Sequence, residues 1–277
     1  MAEVKIADIK KLREMTGAGM MDCKNALEEA NLDFDRAVEL IRERGKAIAN
    51  KRADREASEG VVLAATSKCG CAGAIVALNC ETDFVAKNAD FIGLAQKILN
   101  AALEAGTKDL DALKELVIEG RKVSELVTDR SGVTGEKMQL SYFARVDAPL
   151  VASYIHPGNK LATVVGVNKK DANPELVREI AIQVAGMNPV AIDANSLPEE
   201  IRKREFEIGK EQARLEGKPE QILEKIAEGR LQKFIKENVL MQQEFFVKDT
   251  KDSVEQYLAK VDKDLKVVAM QRYTLVD

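Results

Sequence analysis

The sequence is short of the residues that hold metals and staple small domains. One histidine, His156, and four cysteines, Cys23, Cys69, Cys71 and Cys80, are spread over 277 residues. A metal centre would need further ligands, and Cys69-Gly70-Cys71 is a C-x-C, not the C-x-x-C of zinc and redox sites. Four cysteines in a chain of this length do not make a disulfide framework either, so reduced structural thiols are expected. Positive charge is not in excess. The formal net charge is −4, which argues against a dedicated nucleic-acid binder. No apolar run approaches the roughly 18 residues of a membrane span. The opening Met1-Ala2-Glu3-Val4-Lys5 lacks the apolar core of a secretory signal and the Arg- and Ser-rich pattern of a transit peptide. A cytoplasmic protein is expected.

Catalytic signatures are missing too. The sequence holds no G-x-x-x-x-G-K-[ST] phosphate loop, no G-x-G-x-x-G after a strand and no G-x-S-x-G elbow. A nucleophile site at Cys80, Cys23 or His156 would have no supporting spacing. What remains is ordinary for a globular protein, with 45% hydrophobic and 32% charged residues and length for about two domains.

The pattern along the chain predicts an α+β fold in five segments. Residues 1–54 read as three short helices plus a linker. Ile6, Ile9, Leu12 and Met15 share one spacing, Gly17-Ala18-Gly19 breaks it, and Asp22 precedes a helix with Cys23, Ala26 and Leu27. Asp33 or Asp35 can cap a third helix, and Lys46 to Glu59 reads as an extended or helical linker. Residues 55–139 form the first half of a core: a β-hairpin at 60–66 and 73–80, helices near 90–105, 109–119 and 121–129, and a loop at Gly132 and Gly135. Residues 140–196 begin the second half with strands near 138–146, 151–156 and 161–167. A helix then follows Asn173, with Pro174 at its first position. Residues 197–236 read as an inserted antiparallel helical hairpin with Ile201, Ile208 and Leu215 seven apart and a turn at Gly217-Lys218-Pro219. Residues 237–277 complete the second half with a possible strand at 244–247, a helix capped by Thr250 or Asp252, and a last strand within 265–275.

Two stretches stand out. Asn79 to Phe91 joins a strand to a helix, and Thr82 and Asp83 are good N-cap residues. On one continuous helix Phe84 and Phe91 share a face, and Phe84 is then core. If Asn88 or Asp90 starts a second helix, Phe84 sits on a separate turn and can act as a wedge for another protein's pocket. Spacing alone favours core, because phenylalanine is usually buried. The second stretch, Met15 to Asp22, sets the adjacent Met20 and Met21 beside a glycine-containing loop. These methionines either plug a small core or form an adaptable contact surface. A three-helix unit with such a loop resembles ubiquitin-associated domains.

Leu12 to Lys24 and Glu81 to Lys87 together resemble the two signatures of the elongation factor Ts family, in the right order and at the right distance. Ser153 to Gly158, Ile180 to Ala185, Gly217 to Glu220 and Lys225 to Arg230 match weaker stretches, so the resemblance spans nearly the whole chain. It implies a nucleotide exchange factor, not an enzyme, for the GTPase elongation factor Tu. The ubiquitin-associated-like unit would dock on the GTPase domain, and the core's first half would carry a wedge at Asp83 and Phe84. Contact residues would be Leu12, Met20, Met21, Thr82, Asp83, Phe84, Val85 and His156. No cofactor, metal, nucleic acid or membrane is implied, and the hairpin is the module implicated in dimerisation. The sequence departs from the family at Pro157-Gly158-Asn159-Lys160, where a Gly-Gly-Arg-like turn is more usual, and ends at Asp277, where some members carry another helical module. A binder of ubiquitin-like modifiers using residues 1–45 is the competing reading. It has no use for the wedge.

Overall fold

Three helices open the computed structural model, which describes residues 4–276. They are α1 (Ile6–Thr16), α2 (Met20–Glu29) and α3 (Phe34–Lys51). Gly17 stops α1 in the left-handed conformation (φ 72°), and the Asp33 carboxylate caps α3 by accepting from the Arg36 N–H. Ile9, Leu12, Cys23, Ala26, Leu27 and Leu40 meet in a small core, while Ile6 and Met15 at the same spacing stay exposed.

Of the extended and helical readings of the stretch from Lys46, the helical one holds to Lys51, because α3 runs on through Gly45. Gly132, expected in a loop, lies inside a helix as well. The cause is one contact. A Cβ built on Gly132 would stand 2.2 Å from the Gly45 Cα. Two bare backbones therefore cross here, and neither glycine acts as a breaker.

The first half of the core follows. Strands β1 (Glu59–Thr66) and β2 (Ala72–Cys80) form an antiparallel hairpin. Next come α4 (Asp83–Ala86), α5 (Ala89–Ala105), α6 (Leu110–Glu115), the short β3 (Val117–Ile118) and β4 (Arg121–Lys122), and α7 (Val123–Thr134). Strand β5 (Gln139–Asp147) returns beside β2, giving the order β1-β2-β5. Every residue of β2 is buried. One face packs on Phe91, Ala95, Ile98 and Leu99 of α5, and the other meets the second sheet through Ile75, Ala77, Val151 and Val164.

That second sheet has the order β6-β7-β8, from β6 (Leu150–Ile155), β7 (Leu161–Val167) and β8 (Val267–Thr274). Helix α8 (Pro174–Met187) covers it, and the Asn173 side chain caps the helix ahead of Pro174. The hairpin α9 (Glu199–Leu215) and α10 (Glu220–Asn238) leaves and re-enters between α8 and β8. Its seam is not the expected stripe. Ile208 and Leu215 are exposed, while Gly209, Ala213, Leu223 and Ala227 are buried, because Gly209, Ala213 and Ala227 let the helices approach closely.

Residues 244–247 do not form a strand. A 3-10 turn covers Phe246–Lys248, and only Glu244 bridges to Ser253, since the chain bends to bury Phe245 completely. Helix α11 (Val254–Val261) is capped by Ser253 in a reciprocal pair with Gln256, not by Thr250 or Asp252. The thiol expectation also needs correction. Cys69 and Cys71 are joined by a disulfide, whereas Cys23 and Cys80 are free and buried. Gly70, at φ 69°, turns the chain so that its two neighbours meet. No helix among the described residues is long and apolar enough to cross a membrane.

Candidate functional site

The turn after β2 is held from both sides. The Glu81 carboxylate accepts from Arg52 Nη1 at 2.9 and 2.8 Å and from the Lys137 N–H at 2.6 Å. The Lys137 hydrogen bond, and after it Arg52, holds this carboxyl below the usual glutamate range against the opposing effect of burial. One residue on, the Glu136 carboxylate accepts from the Thr82 N–H (3.1 Å) and hydroxyl (2.7 Å). The Thr82 hydroxyl oxygen in turn accepts from the Val85 N–H at 3.4 Å. A one-turn helix is too short to hold itself, so these partners fix α4.

On that turn the side chains divide. Val85 and Ala86 pack on the first core. Asp83 pairs with Lys87 at 2.6 Å, and this hydrogen bond lowers its pKa. Phe84 points away from the core and is 84% exposed. Phe91, seven residues on, is fully buried. The difference comes from Asn88, whose Oδ1 accepts from the N–H groups of Asp90 (2.9 Å) and Phe91 (3.4 Å) and starts α5 afresh. The two rings therefore belong to different helices, and the shared-face reading does not apply.

The other candidates lie apart. Met20 and Met21 are exposed, the latter at 64%, on the first turn of α2. Leu12 is corrected: it is wholly buried in the three-helix core and offers no surface to a partner. His156 is exposed at the end of β6, with its Nδ1 3.0 Å from the Tyr154 hydroxyl. The structure thus gathers Thr82 to Val85 on one turn and leaves Met20, Met21 and His156 on separate elements.

A cleft of about 630 Å³ runs between the three-helix unit and α5 and α7, with Met15, Ile41, Ile48, Leu94 and Val133 among its walls. Asp129 and Asp90 pair with Arg121 and Arg130 along it.

The thiols next to these elements are poor nucleophiles. Burial, then the charge of Glu136, pushes Cys80 up to about 12, and its S–H donates to the Thr82 carbonyl at 3.2 Å. Burial raises Cys23 as well. Neither supplies thiolate near neutral pH. Among the described residues no group of three or more His, Cys, Asp or Glu side chains could hold a metal ion.

Sequence reasoning missed Arg52, Glu136 and Lys137. They sit 29, 54 and 56 residues from their partners, and no local pattern connects them.

The geometry can be set beside known proteins. Residues 81–277 match the family described as Elongation factor TS. A protein named Elongation factor Ts from Porphyromonas gingivalis (strain ATCC 33277) is 53% identical over 273 residues, covering 98% of each chain. A second from Christiangramia forsetii is 46% identical over 276 residues, covering 99% of this chain and all of its own. One from Bacteroides fragilis (strain YCH46) is 40% identical and covers 98% of both.

Proposed function

The chain belongs to the elongation factor Ts family, and from that premise we propose that it is a guanine nucleotide exchange factor for elongation factor Tu, with Phe84 as its wedge. The observation that carries this reading is a large apolar ring left in solvent on a turn that is clamped through Glu81 and Thr82. At 84% exposure the ring gains almost no burial from its own molecule. Entering a pocket beside the GTPase's Mg²⁺ and phosphate site, it gains roughly 1.5–3 kcal/mol of burial. The turn is already ordered, so little entropy is lost on docking.

The chemistry needs no acid, base or nucleophile in this chain. Exchange factor and GDP bind the GTPase in opposition, and each lowers the other's affinity by the same factor. A ring that displaces the elements around Mg²⁺ has the differential affinity this requires. One ring does not outweigh a tightly held Mg²⁺–GDP, so further contacts share the load. Met20 and Met21 offer an adaptable apolar patch on the three-helix unit. Thr82 and Val85 fix the turn, Asp83 places an ionised carboxylate beside the ring, and His156 faces out from the other sheet as a second contact. On the hairpin, the exposed Ile208 and Leu215 support self-association through that module.

Release of fluorescent GDP from elongation factor Tu, followed by stopped flow, tests the reading. Phe84→Ala slows the stimulated rate at least about tenfold, as hot-spot truncation does, with the fold intact. An undiminished rate removes Phe84 from the mechanism. No acceleration by the unmodified protein removes the exchange function itself.

A further inference from the structure

We propose that Cys69 and Cys71 are a reversible thiol–disulfide couple that exchanges with low-molecular-weight thiols, and that its state sets the hold of one turn on the junction between the two sheets. The pair lies in the exposed turn joining β1 to β2, at a sequence separation of 2. Closing so small a loop restricts the unfolded chain very little, so the bond adds little stability of that origin. Exposed disulfides of this kind are the labile ones. The other two cysteines are buried and protonated and do not compete.

The turn also distinguishes its two sulfurs. The Ser67 hydroxyl lies 3.2 Å from the Cys69 sulfur, and the Cys71 N–H donates to the same atom at 3.4 Å. The Ser67 hydroxyl donates to the Ala72 carbonyl at 3.2 Å, and the Cys71 N–H stabilises negative charge on Cys69, so Cys69 is the better leaving group. A small thiolate attacks the Cys71 sulfur, and the S–S electron pair goes to Cys69. A second small thiolate attacks the small-molecule sulfur of the mixed disulfide and releases Cys71. Two small thiols become one small disulfide, and two protons end on the protein thiols. In reverse, the Cys69 thiolate attacks the mixed disulfide at Cys71 and expels the small thiolate.

The same turn anchors the chain where it crosses between sheets. The Cys71 carbonyl accepts from the Ala148 N–H at 3.1 Å, and the Gly70 carbonyl accepts from the Val151 N–H at 2.8 Å. Ala148 and Val151 flank the start of β6, the first strand of the second sheet. Opening the ring frees the backbone of Gly70 and Cys71 and weakens both anchors.

The test equilibrates the full folded chain with graded ratios of reduced and oxidised glutathione. Samples are quenched with acid, denatured, alkylated with a maleimide and weighed intact. The expected result is interconversion between forms carrying two and four labels, with one midpoint approached from either direction. Cys69→Ser leaves the attacked cysteine without its resolving partner and is expected to accumulate the glutathione adduct. Amide exchange at Ala148 and Val151 is expected to quicken about tenfold in the reduced protein, as local opening becomes easier. A label count that does not move under excess of either form overturns the couple. Unchanged amide exchange after reduction overturns its hold on the junction.

Discussion

Replacing each of the two crossing glycines by alanine should have unequal effects, although both touch the same contact. A methyl group on Gly132 would sit 2.2 Å from the Gly45 Cα, whereas one on Gly45 would sit 3.3 Å from the Gly132 Cα. Ordinary contact begins near 3.4 Å, so Gly132→Ala must part the helices by about 1.2 Å (3.4 less 2.2) and Gly45→Ala by about 0.1 Å (3.4 less 3.3). The obstacle is backbone in both cases, so no rotamer change relieves it. Overpacking costs about 1–3 kcal/mol, and each substitution regains roughly 1 kcal/mol of helix propensity. Gly45→Ala should come out near zero. Gly132→Ala, at the upper end of that range, should lose about 2 kcal/mol, some 30-fold in the closed-to-open ratio of the α3–α7 contact. Urea unfolding monitored by circular dichroism reads the loss, and amide exchange across 42–52 locates it. Equal effects at the two sites would refute the geometry, as would a gain of about 1 kcal/mol at Gly132, the value for a free helix.

Other expectations bear on the clamped turn and the hairpin. Glu136→Ala removes both acceptors from Thr82 and should cost about 1–3 kcal/mol, slowing GDP release with Phe84 still present; the same release rate at full stability would show that the clamp is dispensable. The depressed Glu81 carboxyl adds stability that is complete above the unfolded glutamate value, about 4.3. That contribution is lost as pH falls through the lower folded value. The gap in urea midpoint between the natural protein and Glu81→Gln should therefore hold at pH 6 and shrink below about pH 4. Leu215→Glu, at an exposed position, should abolish any concentration-dependent association seen by sedimentation while leaving monomer stability within about 0.5 kcal/mol.

The strands were the most readable part of the sequence. The runs at 60–66, 73–80 and 161–167 are apolar and end in turn residues, and all three fall within one or two residues of the observed strands. Glycine was the main source of error. In sequence, Gly45 and Gly132 look like breakers, because what they serve is a neighbour 87 positions away and one-dimensional patterns do not contain neighbours. The spacing of Ile6, Ile9, Leu12 and Met15 marked a helix, yet it did not say that only Ile9 and Leu12 turn inward. On the hairpin the large residues drew attention, and the small ones make the seam. For Phe84 the local pattern was ambiguous between one helix and two. The capping potential of Asn88, which divides the two helices, was visible; the partners that hold the Phe84 turn in place, Arg52, Glu136 and Lys137, were not, since only the folded chain brings them near.

One stretch of backbone does two jobs. Gly132 sets how closely α3 lies against α7, and a single turn of chain later Glu136 and Lys137 grip the segment bearing Phe84. Lys137 also reaches back to the Ala53 and Arg55 carbonyls just beyond α3. The end of α3 and the turn that carries Phe84 are thereby tied to one short stretch of chain, and the spacing between them is set when the chain folds. Anything that touched both would meet a preset span and would have to fit itself to it.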